Sequence, residues 1–143
     1  MLTLTGVALT GINFGPTVAS APVAMNNELL FVGTDSAHGT QVWESNGTAA
    51  GTAMLTSANT AHGGIHPTDL TVVGDALYFA AGVTGHGTQL WKSNGTVAGT
   101  TAVTSSNDGL ANFGVYPQQL ANVGGTLYFL GIDLIKGDRK AHV

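Results

Sequence analysis

The chain is 143 residues long, the size of one ordinary domain, which leaves no room for a catalytic domain beside a regulatory one. Only 8% of its residues are charged, against roughly 25% in a typical soluble domain. Lys92 is the sole basic residue before position 130 and the net charge is -4, so a basic stripe for nucleic acid is excluded. Hydrophobic residues at 43% and a mean hydropathy of +0.23 supply enough apolar side chain for a packed core. The 19 threonines and 21 glycines then point to a surface of small polar groups.

Met1-Leu2-Thr3-Leu4-Thr5 opens the chain as a short strand. It has neither the basic start nor the apolar run of a secretory signal. Gly6 to Pro16 follows as a loop carrying Asn13-Phe14-Gly15. A repeat then begins. Gly39-Thr40-Gln41-Val42-Trp43-Glu44-Ser45-Asn46-Gly47-Thr48 returns as Gly87-Thr88-Gln89-Leu90-Trp91-Lys92-Ser93-Asn94-Gly95-Thr96, each position 48 residues on. Both strings continue into Ala-Gly-Thr, at Ala50-Gly51-Thr52 and Ala98-Gly99-Thr100. Strand cores precede them at Leu29-Leu30-Phe31 and Leu77-Tyr78-Phe79, with a third at Leu127-Tyr128-Phe129.

Within the second copy, strands are predicted at Asp69–Val73, Ala76–Ala81, Thr88–Ser93 and Thr101–Thr104, with Gly74-Asp75 as a tight turn. Asn46-Gly47 and Asn94-Gly95 read as hairpin turns in which both residues take positive φ. No helical periodicity is sustained, and Gly or Pro interrupts the chain about every ten residues. The expected fold is all-β, a β-propeller-type repeat of about 48 residues. One domain, 1–143, is expected to hold roughly three four-stranded blades, at 18–56, 68–104 and 118–143.

Aligned on the first copy at an offset of 98, Gly137 falls on Gly39 and Arg139-Lys140-Ala141 on the Trp strand, so the third copy stops inside its third strand. Met1-Leu2-Thr3 resembles Met54-Leu55-Thr56, the fourth strand of the first copy. Met1, Leu2, Thr3, Leu4 and Thr5 are therefore expected to complete the last blade of a neighbouring chain. Three blades are too few to close a ring, so a ring of two or more chains, an open filament, or a piece of a longer repeat protein all remain open.

The Trp-centred segments resemble the bacterial ELWxxDGT repeat family, found in large extracellular proteins. The matching residues are Gln41-Val42-Trp43 with Asn46-Gly47-Thr48, and Gln89-Leu90-Trp91 with Asn94-Gly95-Thr96. Gln stands for the family's Glu and Asn for its Asp in both copies. The resemblance implies a propeller-like architecture in an extracellular or cell-surface setting, and carries no defined chemistry.

Trp43 and Trp91 could stack on sugars, but a Trp at one strand position in successive blades is first expected to pack between blades. The two Asn-Gly-Thr sequons are glycan acceptors in a eukaryotic secretory route and turn formers in any other. For a ligand, the connections Gly6–Pro16, Asn59–Pro67 and Asn107–Pro117 are equivalent in the repeat and belong on one face. They offer Asn13, Phe14, His62, His66, Asn112, Phe113 and Tyr116, a mixture suited to neutral polar ligands such as glycans. No metal site, cofactor or nucleophile motif is expected. A non-enzymatic structural or adhesive protein that binds copies of itself is the first reading and a multivalent lectin the second. A glycosidase would need two of the eight acidic residues facing each other across a cleft.

Overall fold

The computed structural model describes residues 20–104, 114–133 and 138–142. The chain is all-β. In order, the strands are β1 (Val23–Met25), β2 (Glu28–Asp35), β3 (Gly39–Ser45), β4 (Thr52–Met54), β5 (Thr68–Val73), β6 (Ala76–Val83), β7 (Gly87–Ser93), β8 (Thr101–Ala102), β9 (Gln118–Val123), β10 (Thr126–Asp133) and β11 (Asp138–His142). A 3-10 turn at Thr60–His62 is the one helical element among the described residues, and no helix there is long and apolar enough to cross a membrane.

The strands form three antiparallel sheets, each running in sequence order: β1-β2-β3-β4, β5-β6-β7-β8 and β9-β10-β11. Among the described residues they close into neither a barrel nor a propeller ring. Tight two-residue turns join the first two strands of each sheet. Asn26-Asn27 (φ 52° and 64°) and Gly124-Gly125 (φ 60° and 84°) place both residues in the left-handed region that a right-twisted hairpin requires. Gly74-Asp75 occupies the same place in the second sheet, as expected.

Cross-strand pairing sorts the side chains onto two faces, because partners opposite one another share a face. In the first sheet Met25, Glu28, Leu30, Val42 and Glu44 line one side, here face A, and Phe31 and Trp43 the other, face B. In the second sheet Val73, Tyr78, Leu90 and Lys92 lie on face A, and Leu77, Phe79, Ala81 and Trp91 on face B. The core follows this sorting. Met25, Leu30 and Val42 of the first face A pack with Leu70, Leu77, Phe79 and Ala81 of the second face B. Leu90, with Val73 and Tyr78, packs with Leu127, Phe129 and Leu120 of the third sheet. Each sheet thus lays its face A on face B of the next.

The leading strands are neighbours, β1 beside β5 and β5 beside β9. Hydrogen bonds stitch them at a separation of 50 residues: Leu70 N–H donates to Ser20 Oγ (2.7 Å), Gln119 N–H to Asp69 Oδ2 (2.9 Å) and Asn122 Nδ2 to Val72 O (3.1 Å). Asp69 (φ 58°) and Gln119 (φ 54°) are left-handed within their strands, where the pairing of β5 with β6 and of β9 with β10 slips. A bulge at the same place in two sheets turns the Asp69 side chain toward the next strand.

The third sheet departs from the sequence alignment. Phe129 pairs with His142 and Asp133 with Asp138, whereas Phe31 pairs with Trp43 and Asp35 with Gly39. The β10–β11 connection therefore holds four residues where β2–β3 holds three. That extra residue puts His142, rather than Ala141, in the register position of the tryptophan, and Asp138, rather than Gly137, in that of Gly39.

Candidate functional site

The repeated motif builds a loop of fixed hydrogen bonding. Six residues separate Ser45 from Thr52, and the Asn-Gly pair does not form the expected two-residue hairpin. Gly47 (φ 90°) and Gly95 (φ 87°) take positive φ, but Asn46 and Asn94 do not. Each Asn acts through its side chain instead. Asn46 Oδ1 accepts from Thr48 N–H (3.0 Å) and Thr48 Oγ1–H (2.6 Å), and Thr48 Oγ1 in turn accepts from Gly51 N–H (3.0 Å). Asn94, Thr96 and Gly99 repeat the pattern at 3.1, 2.7 and 3.0 Å. A Cβ on Gly51 would lie 2.0 Å from Asn46 Oδ1, and one on Gly99 2.0 Å from Asn94 Oδ1, so the second glycine of the motif makes space for the asparagine. The sequon threonines are thereby engaged inside the loop.

Gln41 and Gln89 are buried at 0% and 1% exposure, where an unpaired amide is costly. Gln41 Nε2 donates to His38 O (2.8 Å) and Ala58 O (2.7 Å), while its Oε1 accepts from Thr56 Oγ1 (2.8 Å). Gln89 donates to His86 O (2.7 Å) and accepts from Thr104 Oγ1 (2.7 Å). Two carbonyls around one group call for an amide, since a carboxylate has no proton to give them.

Trp43 is buried and its Nε1–H donates to Gly33 O (3.3 Å). Trp91 stacks on Phe79, with ring centroids 5.9 Å apart and planes 19° from parallel, and packs against the core between the first two sheets. Its Nε1 is buried without a partner. On the opposite face, Lys92 Nζ lies over the Tyr78 ring, 5.7 Å from its centroid.

The connection from β4 to β5 spans the first two sheets. Thr40 N–H donates to Gly63 O (2.8 Å), Ile65 N–H to Thr40 O (3.0 Å) and Gly82 N–H to Ile65 O (2.8 Å). His62 and His66 are exposed on this segment, and His66 (φ 49°) is matched by Tyr116 (φ 47°), half-buried in the next connection, whose N–H donates to Thr88 O (3.0 Å). Asn13, Phe14, Asn112 and Phe113, expected on the same face, lie outside the described residues, as do Met1, Leu2, Thr3, Leu4 and Thr5. No group of three or more His, Asp or Glu among the described residues could hold a metal ion.

Asp35 closes the β2–β3 turn, accepting from His38 Nδ1 (2.8 Å), His38 N–H (2.6 Å) and Ala37 N–H (2.8 Å). The His38 side-chain hydrogen bond, with help from the two amides, holds its carboxyl below the usual range. The second sheet has Val83 here and no such clasp.

Two acidic side chains do meet. Glu28 and Glu44 share face A of the first sheet, Glu44 opposite Leu30 and Glu28 two residues before it. The two carboxyls interact, and Glu44 Oε2 is buried without a hydrogen-bond partner. Burial first, then the Glu28 contact, pushes Glu44 up to about 7. Sequence reading missed the pair because its register was needed. The signal present was that Ala76 and Lys92 replace the two acids in an otherwise matching repeat.

Neither a protein-family model nor a curated protein matches the chain in sequence.

Proposed function

We propose that the chain is a non-enzymatic, propeller-type repeat scaffold that serves as a structural or adhesive element outside the cell and associates with copies of itself. One observation carries the reading. Face A is buried under the next sheet in the first and second sheets, but in the third it presents Val123 at 59% and Tyr128 at 42% exposure. The corresponding Val73 and Tyr78 of the second sheet pack under Leu127 and Phe129. An apolar face built to receive a further sheet, and open where its counterparts are closed, is an association surface.

The sequence likeness of Met1-Leu2-Thr3 to Met54-Leu55-Thr56 supports strand addition as the route. In this reading Met1–Thr5 of one copy lies beside β11 of another, which has β10 as its neighbour among the described residues. Side-by-side leading strands and the face A to face B order support the propeller geometry, in which sheets radiate from an axis. The low content of charge and the family resemblance support an extracellular place. Deletion of residues 1–5 tests the route: the truncated chain is expected to elute from a sizing column as a smaller species than the intact one, and elution at the intact protein's position would refute strand addition.

A further inference from the structure

We propose that Glu28 and Glu44 form a proton-dependent latch in the joint between the first two sheets, closed when Glu44 carries its proton and loosened when Glu44 ionises. The proposal is independent of self-association. Its basis is placement. Both side chains sit on face A, the surface through which Met25, Leu30 and Val42 pack against Leu77, Phe79 and Ala81 of the second sheet.

Among the described residues, the surroundings provide no cation. Cross-strand pairing gives the facing surface of the second sheet as Val72, Leu77, Phe79, Ala81, Gln89, Trp91 and Ser93, none of them ionisable across the ordinary pH range. Lys92 belongs to the other face of that sheet, over Tyr78. From β1, Met25 and Val23 share the acids' face, and from β4, Ala53. The β7–β8 loop comes close as well, since a Cβ on Gly95 would lie 3.5 Å from Met25 Cε, and it carries no charged residue.

In this setting a protonated Glu44 brings no charge to the apolar joint. Losing that proton places a negative charge beside an apolar joint, with Glu44 Oε2 already cut off from water and from any donor. The Glu44 carboxyl, raised to about 7, puts this change within the neutral range. A folded-state value above the unfolded one means the folded state binds the extra proton, so its stabilisation is complete at low pH and is lost as pH rises through about 7. The second sheet, with Ala76 and Lys92 at the corresponding places, has no such latch in its own joint with the third.

The test uses the full chain and three readouts. Melting temperature followed from about pH 5.5 to about pH 8.5 is expected to fall through neutrality for the native protein and to stay level for Glu44→Gln, which keeps the shape of the protonated acid and has no proton to lose. Amide exchange at Leu70, which bonds across the joint to Ser20, is expected to quicken at least about tenfold over the same range after correction for intrinsic rate. Carboxyl-carbon NMR on the native protein, which needs no variant to fold, should place the Glu44 midpoint near neutrality, and Glu28→Gln should bring it down. A Glu44 midpoint in the ordinary range near 4.3, one unmoved by Glu28→Gln, or a Glu44→Gln variant that keeps the native pH slope would each overturn the latch.

Discussion

At the scale of single residues, the repeat is a set of hydrogen-bonding instructions. Asn46 is present for the oxygen that organises Thr48, and Gly51 for the space that oxygen occupies. The two requirements are coupled, and the coupling is measurable. Asn46→Ala removes two acceptor contacts in an exposed loop and is expected to cost about 1 kcal/mol. Gly51→Ala forces the asparagine out of place and should cost about 1 to 3 kcal/mol. Once the asparagine is gone the added methyl has room, so the double variant should fall short of the sum by at least about 0.5 kcal/mol in urea unfolding. Strict additivity would mean that Gly51 is required for some other reason. Asn46→Asp keeps both acceptor contacts and is expected to leave the loop in place. Gln41 is different in kind, because its amide protons meet two carbonyls and no carboxylate can replace it.

At the scale of elements, the strands were readable in the sequence and the joints between them were not. Leu-x-Phe cores, a Trp strand and Gly-Asp or Asn-Asn turns are local signals, and the second sheet has its strands within two residues of the pattern for that reason. Three features needed partners far away in the chain. The slip in β5 and β9 arises from left-handed Asp69 and Gln119, residues that no turn signal marks. The one-residue shift of β11 depends on a longer connection that internal alignment at a constant offset absorbed without notice. The Glu28–Glu44 contact emerges only once Leu30 is known to face Glu44. The joint itself is backbone on backbone. Gly64 (φ 93°) lies so close to Thr40 that a Cβ would sit 2.3 Å from its carbonyl oxygen, and Gly114 repeats the approach to Thr88 at 2.1 Å. Gly64→Ala combines an unfavourable φ with that clash, and is expected to destabilise the chain by about 3 kcal/mol or more in thermal or urea unfolding. A loss below about 1 kcal/mol would show that the connection can shift away without harm to the joint.

At the scale of the whole molecule, the sheets follow one packing rule, face A on face B, and the rule has an open end. Val123 and Tyr128 extend it to a surface with the same apolar character as the buried joints. Association of copies through that surface is the central claim, and sedimentation equilibrium on the intact chain, beside Tyr128→Lys, tests it most directly. A charge at the centre of the face should disrupt docking while leaving an exposed side chain's own sheet intact. The account predicts a native species of two or more chains that Tyr128→Lys reduces to one, with its far-ultraviolet spectrum unchanged. A native protein that sediments as a single 14.4 kDa chain at every concentration would contradict it.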